Sequence, residues 1–413
     1  MKKIPAGRRG AAREFTILAV AVIAAGAVFL LTWSGSPLAM SGPKPAPLPA
    51  PSAPENAART EDPRPTARLE APPATAPAPH PDAEPALAPD ATPVSLRYGT
   101  KEPVARTPGA LRVMTFNLEN LFDDVDDPAL NGKNDDKDMT KPADHCKAAA
   151  AAIRAANPDV IALQEVESLA ALTQFRDRYL ADAGYAHIVS IDTGDPRGIE
   201  NAVLSKFPLK DVQTWEGLPL GGTQPATFGN EKNEFAGQPI AFKRSPLRVT
   251  VVAPARDGAG AFELTLFVLH EKSGRGGGYW REKESSKTLE LVREFEAAHP
   301  GAAVFVLGDC NASARDESIK IFTRGGLKDI FGDEEADRDN LNVTHASGRR
   351  IDHIFVNAAA EAELVRESKF VFAQPTRPEK YDYRTTPPPK GYSSDHFPVV
   401  VDITPPVGAS GVK

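Results

Sequence analysis

The sequence is poor in the residues that define several common protein classes. Only two cysteines, Cys146 and Cys310, occur in 413 residues, which excludes a disulfide framework but leaves a single bridge between them open. Cys310 stands inside a polar motif, and we interpret it as a small packed thiol. Basic residues (48) are fewer than acidic ones (55), and the net charge of −7 argues against broad, non-specific nucleic-acid affinity, though not against a local basic groove.

Two familiar phosphate and cation motifs are also absent, and no internal repeat is found. The glycine-rich run at 274–278 is not followed by Gly-Lys-Ser/Thr, so it is not a P-loop. The segment 123–138 contains seven Asp and two Asn, but its spacing does not match an EF-hand. We interpret the first as a flexible loop at a cleft rim and the second as a solvated acidic loop near the functional site.

One long hydrophobic run is present, at residues 15–33, and it contains no charge and no proline. The preceding residues 1–14 carry five Lys/Arg and one Glu, a net charge of +4. A helix of about 20 apolar residues crosses a bilayer, and a basic flank favours an inside N-terminus. The run is therefore a transmembrane anchor or a cleaved signal peptide. We expect a membrane-anchored domain outside the cytoplasm, in the periplasm or at the cell surface, or a secreted domain after cleavage.

The remaining chain divides by composition. Residues 34–108 are rich in Pro and Ala, with 19 of the 39 prolines between Pro37 and Pro108, which predicts a disordered linker. Residues 109–405 have the length and patterning of one large α/β domain, and 406–413 form a flexible tail. Predicted helices lie at 143–156, 169–180 and 281–298. Predicted strands lie at 111–116, 159–163, 185–190, 199–204, 240–242, 247–252, 262–269, 303–307, 351–356 and 397–403. This order favours two packed mixed sheets with helices outside.

Four of these strands end or begin in polar clusters. The clusters are Asn117 with Glu119, Glu165, Asp309 with Asn311, and Asp395 with His396. A carboxylate after a buried strand is costly unless it is solvated, paired or metal-bound. Alternation along an extended chain places Asp309 and Asn311 on the same face. Together the clusters predict a site for a hard cation and a phosphate.

Several further residues have two interpretations. His270 follows an apolar strand and is either structural or a hydrogen-bond donor to phosphate, whereas His353 is interpreted as a packing residue. Asp352 enters a strand, where its expected role is to orient an imidazole. Ser394, taken alone in Ser-Asp-His, would suit a serine hydrolase, but the other clusters make a structural role the better interpretation.

Seven motifs, in this order, resemble the endonuclease/exonuclease/phosphatase superfamily with the DNase I-like fold. The resemblance covers about Leu111 to Thr404. It rests on Thr115–Leu121, Ala162–Val166, Asp195–Ile199, Leu269–Ser273, Gly308–Asn311, Arg350–Ile354 and Ser394–His396. The run Asn120–Asp123 looks like the secreted bacterial branch. The chain departs from the family at Cys310, where Phe or Met is usual, and at Leu269-His270-Glu271, where Asn-His-Leu is usual, and both departures leave the site residues intact.

The resemblance implies a four-layer αββα sandwich with the site at the shared edge of the two sheets. It implies Mg²⁺, with Mn²⁺ as an alternative, bound by Glu165 with help from Asn117 and Asp395. Asp309 would orient or activate the attacking water, and Asn311 would hold the scissile phosphate. His396, supported by Asp352, would handle a proton or stabilise charge, and His270 would bind a phosphate oxygen. Arg197 either faces substrate or is a turn residue in a salt bridge.

The predicted function is therefore Mg²⁺-dependent phosphodiester hydrolysis by an activated water, with DNA or RNA as substrate. A phospholipid or inositol-phosphate phosphoesterase of the same fold is the first alternative. A catalytically inactive, tethered binding domain is the second. Beyond the phosphodiester substrate and the membrane, no protein partner is evident from the sequence.

Overall fold

The computed structural model describes residues 95–125, 139–193, 195, 197–228, 231–256, 260–332, 339–382 and 385–406. All of them belong to the compact unit Glu84–Lys413. The predicted segments 1–14 and 15–33, most of the predicted linker, most of the acidic loop, and the tail after Pro406 lie outside the described residues. Within the part that is described, every helix is too short or too polar to cross a membrane.

The elements follow the sequence patterns closely. The helices are α1 (Ala143–Ala156), α2 (Leu169–Tyr179), α3 (Gly278–Ala298), α4 (Glu317–Arg324) and α5 (Ala358–Glu363). The strands are β1 (Leu111–Leu121), β2 (Val160–Val166), β3 (His187–Ser190), β4 (Glu200–Ser205), β5 (Leu209–Gln213), β6 (Pro219–Thr223), β7 (Thr227–Phe228), β8 (Glu231–Lys232), β9 (Pro239–Ala241), β10 (Leu247–Pro254), β11 (Ala261–His270), β12 (Ala303–Asp309), β13 (Lys328–Asp329), β14 (Asp352–Val356), β15 (Leu364–Val371) and β16 (Val399–Ile403).

Two six-stranded mixed sheets form the centre of the fold. The first has the order β15-β16-β1-β2-β4-β3, and the second has the order β13-β14-β12-β11-β10-β5. The parallel pairs are β1 with β2 and β11 with β12. Their carboxyl ends meet the amino ends of the antiparallel strands β14 and β16. Polar residues at those ends are therefore collected along one edge.

Strand alternation separates three hydrophobic layers. Along β1, Val113 packs into the core between the sheets, whereas Met114 faces the other side, with α1 and α2. On the second sheet, Val304 and Val306 pack against Val292 and Phe295 of α3. The predicted four-layer αββα sandwich is confirmed.

Some predicted boundaries need correction. Residues 95–108 were predicted as the end of the linker, but the carbonyl of Ser95 accepts from the N–H of Thr376 at 3.1 Å, and Tyr98 packs on Phe397 with tilted rings whose centroids are 5.7 Å apart. Thr100 also forms a β-bridge with Phe372. The packed domain therefore includes residues from Ser95. Strand β15 was missed because it is an edge strand with exposed, charged positions, and α4 and α5 were missed because they are only 8 and 6 residues long.

Both cysteines are buried free thiols, so the open disulfide alternative is excluded.

Gly308, two residues before Cys310, has φ +141°, and a Cβ there would lie 2.1 Å from the carbonyl oxygen of Leu269. Only glycine allows the backbones of β11 and β12 to approach this closely before Asp309.

Candidate active site

The second sheet supplies a row of three site residues. His270, Asp309 and Asp352 occupy β11, β12 and β14, and strand register pairs His270 with Asp309 and Asp309 with Asp352. Directly paired residues on neighbouring strands project to the same side of a sheet. All three are at most 2% exposed. The sequence prediction that these residues converge is supported by the geometry.

The first sheet supplies its groups where regular pairing is lost. The register between β1 and β2 shifts between Asn117 and Leu121. Three residues there have left-handed backbone, with φ of 50° at Glu119, 58° at Asn120 and 60° at Glu165. Such conformations cost free energy in non-glycine residues and are concentrated at functional sites. Glu119, Asn120 and Glu165 form what we call the bulged edge of the first sheet, and this edge turns the Glu165 side chain towards the row on the second sheet.

Asp309 is the centre of the site. Its Oδ2 accepts hydrogen bonds from Asn117 Nδ2 and Asn311 Nδ2, both at 3.1 Å, and its Oδ1 accepts from the backbone N–H of Asn311 at 2.8 Å. The Nε2 atoms of His270 and His396 lie 3.6 and 3.7 Å from Oδ2. The carboxylate is thus placed between two amides and two imidazoles.

The charge state of Asp309 suits proton transfer. Burial raises its pKa to about 6, against the attraction of His396, which lowers it. A carboxylate with this pKa is mostly ionised at pH 7 and is a better proton acceptor than an ordinary aspartate. The environment therefore supports the predicted role in activating water.

His396 is held as a cation by carboxylates. Its Nδ1 lies 2.9 and 3.0 Å from the two carboxylate oxygens of Asp352. Burial by itself would lower the pKa of His396, but Asp352 and Asp309 outweigh it, and the pKa is raised well above its usual range. The predicted pairing of Asp352 with an imidazole is present, and it leaves Nε2–H as a charged donor.

His270 has the opposite charge state. Burial, together with Arg244 and Arg197, lowers its pKa well below the usual range, so the ring is neutral. Arg244 Nε also donates to the backbone carbonyl of His270 at 3.0 Å. The Nε2 atom lies 3.6 Å from both Glu165 Oε1 and Asp309 Oδ2. In this structure His270 therefore spans the two carboxylates, and its predicted contact with a phosphate oxygen stays a prediction.

Two predicted residues make contacts that the sequence did not specify. Asn117 Oδ1 accepts from the backbone N–H of Glu119 at 2.9 Å while its amide holds Asp309, so its metal-ligand role stays a prediction. Arg197 Nη2 donates to Asn120 Oδ1 at 2.6 Å and lies 3.5 Å from Glu165 Oε2. The side chain of Arg197 thus faces the site and also makes an ion pair, so features of both proposed roles are present.

Ser394 and His353 are structural, as their sequence contexts suggested. Ser394 Oγ donates to the carbonyl of Asn117 at 2.8 Å and accepts from the backbone N–H of His396 at 3.1 Å. His353 Nδ1 lies 2.6 Å from Asp329 Oδ2, and its ring stacks on Phe355. Neither side chain is positioned as a nucleophile or base.

Sequence reasoning missed a second polar group behind the bulged edge. Tyr392 Oη donates to Glu119 Oε2 at 2.8 Å, and Lys141 Nζ donates to the carbonyl of Glu119 at 3.2 Å. Burial and the nearby Asp395 raise the pKa of Glu119 to about 7. Burial lowers the pKa of Lys141, against the attraction of Glu119. A lysine only 6% exposed is unusual enough to indicate a role near the site, but its neighbours in sequence carry no motif.

The donor set fits a divalent cation. Glu165 and Asp395 provide carboxylate oxygens, the ligands that hard cations prefer. Two groups, Asp309–Asp352–His396 and His345–Asp395–His396, have nitrogen and oxygen ligand atoms within 4.8 Å of one another. His345 was missed because it stands outside the recognised motifs.

A two-sheet sandwich whose edge carries a buried carboxylate between two imidazoles, with further carboxylates beside it, is the geometry expected of a hydrolytic phosphoesterase. The chain belongs to the endonuclease/exonuclease/phosphatase family, whose model matches residues 114–396. Among curated proteins, no match to this chain is found.

Several solved structures are similar to this chain. An endonuclease/exonuclease/phosphatase family protein from Bacteroides thetaiotaomicron is 18% identical, with 72% of this chain and 98% of that chain covered and a TM-score of 0.44. The human Nocturnin catalytic domain with bound sulfate is 15% identical, with coverage of 72% and 95% and a TM-score of 0.43. A mannosyl-6-phosphatase from B. thetaiotaomicron is 17% identical, with coverage of 70% and 98% and a TM-score of 0.43.

Proposed function

We propose that this protein is a Mg²⁺-dependent phosphodiesterase that cleaves DNA or RNA by attack of an activated water. The observation that carries the proposal is the position of Asp309, whose Oδ2 is bound by two amides and lies 3.7 Å from the cationic His396. A base and a charged donor a few ångströms apart are what in-line attack on a phosphorus centre requires.

The residues of this chain have distinct roles in the proposed reaction. Asp309 accepts a proton of the attacking water as the water oxygen bonds to phosphorus, the phosphorus–oxygen bond to the leaving group breaks, and the departing alkoxide takes a proton from solvent. His396 Nε2–H donates to the phosphate oxygens, and Asp352 keeps that ring charged and oriented. Asn311 donates through its amide and holds Asp309 in place.

Glu165 and Asp395, with Asn117, would hold the cation. When bound, a divalent cation neutralises phosphate charge during the displacement. The neutral His270 lies between Glu165 and Asp309, so it separates the cation ligand from the base without adding positive charge. Mn²⁺ is expected to substitute for Mg²⁺, since both accept oxygen ligands.

A substrate panel tests the proposal with the full-length protein. DNA, RNA, phospholipid and sugar-phosphate substrates are each incubated with Mg²⁺ or with EDTA, using wild type and Glu165→Ala. We expect cleavage of nucleic acid in Mg²⁺, no cleavage in EDTA, and a loss of activity in Glu165→Ala. Turnover of phospholipid or inositol phosphate alone would replace the nucleic-acid assignment by the other phosphoesterase. Turnover of no substrate, with metal binding retained, would indicate a binding domain.

The location of the domain is also a proposal. The apolar run at 15–33 and the Pro/Ala-rich segment that follows support a domain tethered outside the cytoplasm. Protease accessibility in intact and permeabilised cells tests it, and protection that is lost only after permeabilisation of the inner membrane would contradict it.

A further inference from the structure

His345 lies beside the last motif of the site through backbone pairing. It forms an isolated antiparallel bridge with His396. On either side, Ala346 N–H donates to the carbonyl of Asp395 at 2.8 Å, and Phe397 N–H donates to the carbonyl of Thr344 at 2.7 Å. The position of His345 relative to Asp395 is thus set by the backbone and does not depend on a flexible side chain alone.

The hydrogen bonds of the ring define its tautomer. His345 Nδ1 accepts from the backbone N–H of Ser347 at 3.0 Å and also lies 2.8 Å from Ser347 Oγ. Nε2 lies 3.2 Å from Asp395 Oδ2, and because an ionised carboxylate only accepts hydrogen bonds, the proton of this contact is on Nε2. His345 is therefore a donor to Asp395, and in this arrangement Nε2 has no lone pair with which to ligate a metal.

This donor controls the orientation of Asp395. His345 holds Oδ2, while Oδ1 is turned towards the interior of the site, 3.9 Å from His396 Nε2. The two imidazole rings also meet edge to face, with centroids 4.6 Å apart. A ligating carboxylate depends on such outer donors for its orientation, and their loss weakens metal affinity.

The turn that carries His345 also holds the backbone at Asp352, the carboxylate partner of His396. Thr344 Oγ1 accepts from the backbone N–H groups of Ile351 and Asp352 at 2.9 and 3.0 Å. The segment that carries His345 thus contacts the carboxylate of Asp395 and the backbone of Asp352.

We propose that His345 is a positioning residue that fixes Asp395 as a ligand of the divalent cation. The inference rests on the proposed function, because it assumes that a cation binds at Glu165 and Asp395. It extends that function by naming a determinant of cation affinity that lies outside the recognised motifs.

The test compares loss of the donor with its replacement. His345→Phe keeps an aromatic ring but removes the N–H donor to Asp395, and His345→Ala removes both the ring and the donor. In His345→Gln the side-chain amide N–H can take the place of Nε2–H. Binding of Mn²⁺ to the full-length protein is measured by isothermal titration calorimetry, and thermal unfolding without metal monitors the fold. His187→Phe and His187→Gln are matched controls, since His187 pairs with Ser205 at the opposite end of the first sheet.

We expect Mn²⁺ affinity to fall about tenfold to 100-fold in His345→Phe and His345→Ala, and to recover to within about threefold of wild type in His345→Gln. Both His187 variants should bind Mn²⁺ like wild type. Wild-type affinity in a folded His345→Phe or His345→Ala variant would overturn the inference, as would a His345→Gln variant as weak as His345→Phe.

The proposed function can fail separately. If wild type and Glu165→Ala bind Mn²⁺ equally, the cation site itself is misplaced, and both proposals fall together. If Glu165→Ala abolishes binding while the His345 variants have no effect, only the role of His345 is wrong.

Discussion

The two sheets deliver their polar groups to the site in different ways. In the second sheet, His270, Asp309 and Asp352 are aligned by regular pairing of three strands. In the first sheet, Glu119, Asn120 and Glu165 lie on left-handed backbone where the pairing of β1 and β2 is interrupted. The regular row is held by backbone hydrogen bonds, whereas the bulged edge depends on side-chain contacts such as Tyr392 with Glu119.

This difference suggests a division of labour. In the proposed mechanism the row contains the base, Asp309, and Asp352, the carboxylate that keeps His396 charged. The bulged edge contains Glu165, one of the proposed cation ligands, with Glu119 and Asn120 beside it. Variants in the row should therefore affect chemistry and its pH dependence, whereas variants at the bulged edge should affect cation or substrate binding.

The largest effect is expected at the centre of the row. Asp309→Asn removes the base and places an amide N–H opposite two amide donors, so kcat should fall about 10³-fold. Steady-state kinetics on a substrate cleaved by wild type measure this. Asp316→Asn, at the N-cap of α4, is the matched control and should stay within about twofold. An Asp309→Asn variant with more than a tenth of wild-type kcat would show that the base lies elsewhere.

The second effect concerns the charge on His396. With Asp309 active when ionised and His396 active when protonated, activity should fall below about pH 6 and again above the raised pKa of His396. Asp352→Asn removes a cause of that raised pKa, so the loss of activity at high pH (the basic limb of the pH–rate profile) should begin at a lower pH. In this variant kcat should also fall about 10²-fold. His353→Gln should keep the wild-type limbs. An unchanged basic limb in Asp352→Asn would contradict the assignment.

A third comparison concerns how much the backbone near the site contributes to stability in each of the two sheets. Gly308→Ala forces a Cβ onto the carbonyl of Leu269, so the free energy of unfolding should fall by about 2–4 kcal/mol. Asn120→Gly, at φ 58°, should change it by less than about 1 kcal/mol, since glycine tolerates left-handed backbone. Chemical denaturation measures both. Equal losses in the two variants would mean that the strands are not held as described.

The smallest effect is expected for Arg197. Arg197→Met removes a cation beside Glu165 and Asn120, and KM should rise about tenfold with kcat within about threefold. Arg178→Met, which removes an exposed partner of Asp124, should leave KM unchanged. If KM is unchanged while Mn²⁺ affinity alone changes in Arg197→Met, the residue serves the cation site and does not bind substrate.

The sequence predicted the sandwich and the row well because both follow from strand periodicity and from motifs at strand ends. Asp309 and Asn311 do lie together, but not by the predicted alternation: β12 ends at Asp309, and Asn311 has φ 49° in a turn closed by its N–H on Asp309 Oδ1. His345, Lys141 and Tyr392 could not be found from periodicity or motifs. Tyr392 contacts Glu119 across 273 positions, and His345 contacts Asp395 across 50. Such contacts depend on how loops fold over the sheet edge, which local patterns do not encode.

Cleavage of nucleic acid in ¹⁸O-labelled water with Mg²⁺ present tests direct attack by an activated water. Under single-turnover conditions, the phosphate product should carry one ¹⁸O atom, and Asp309→Asn should form this product only slowly. A phosphate product without ¹⁸O, or an intermediate covalently attached to the protein, would contradict direct attack by a water that Asp309 activates.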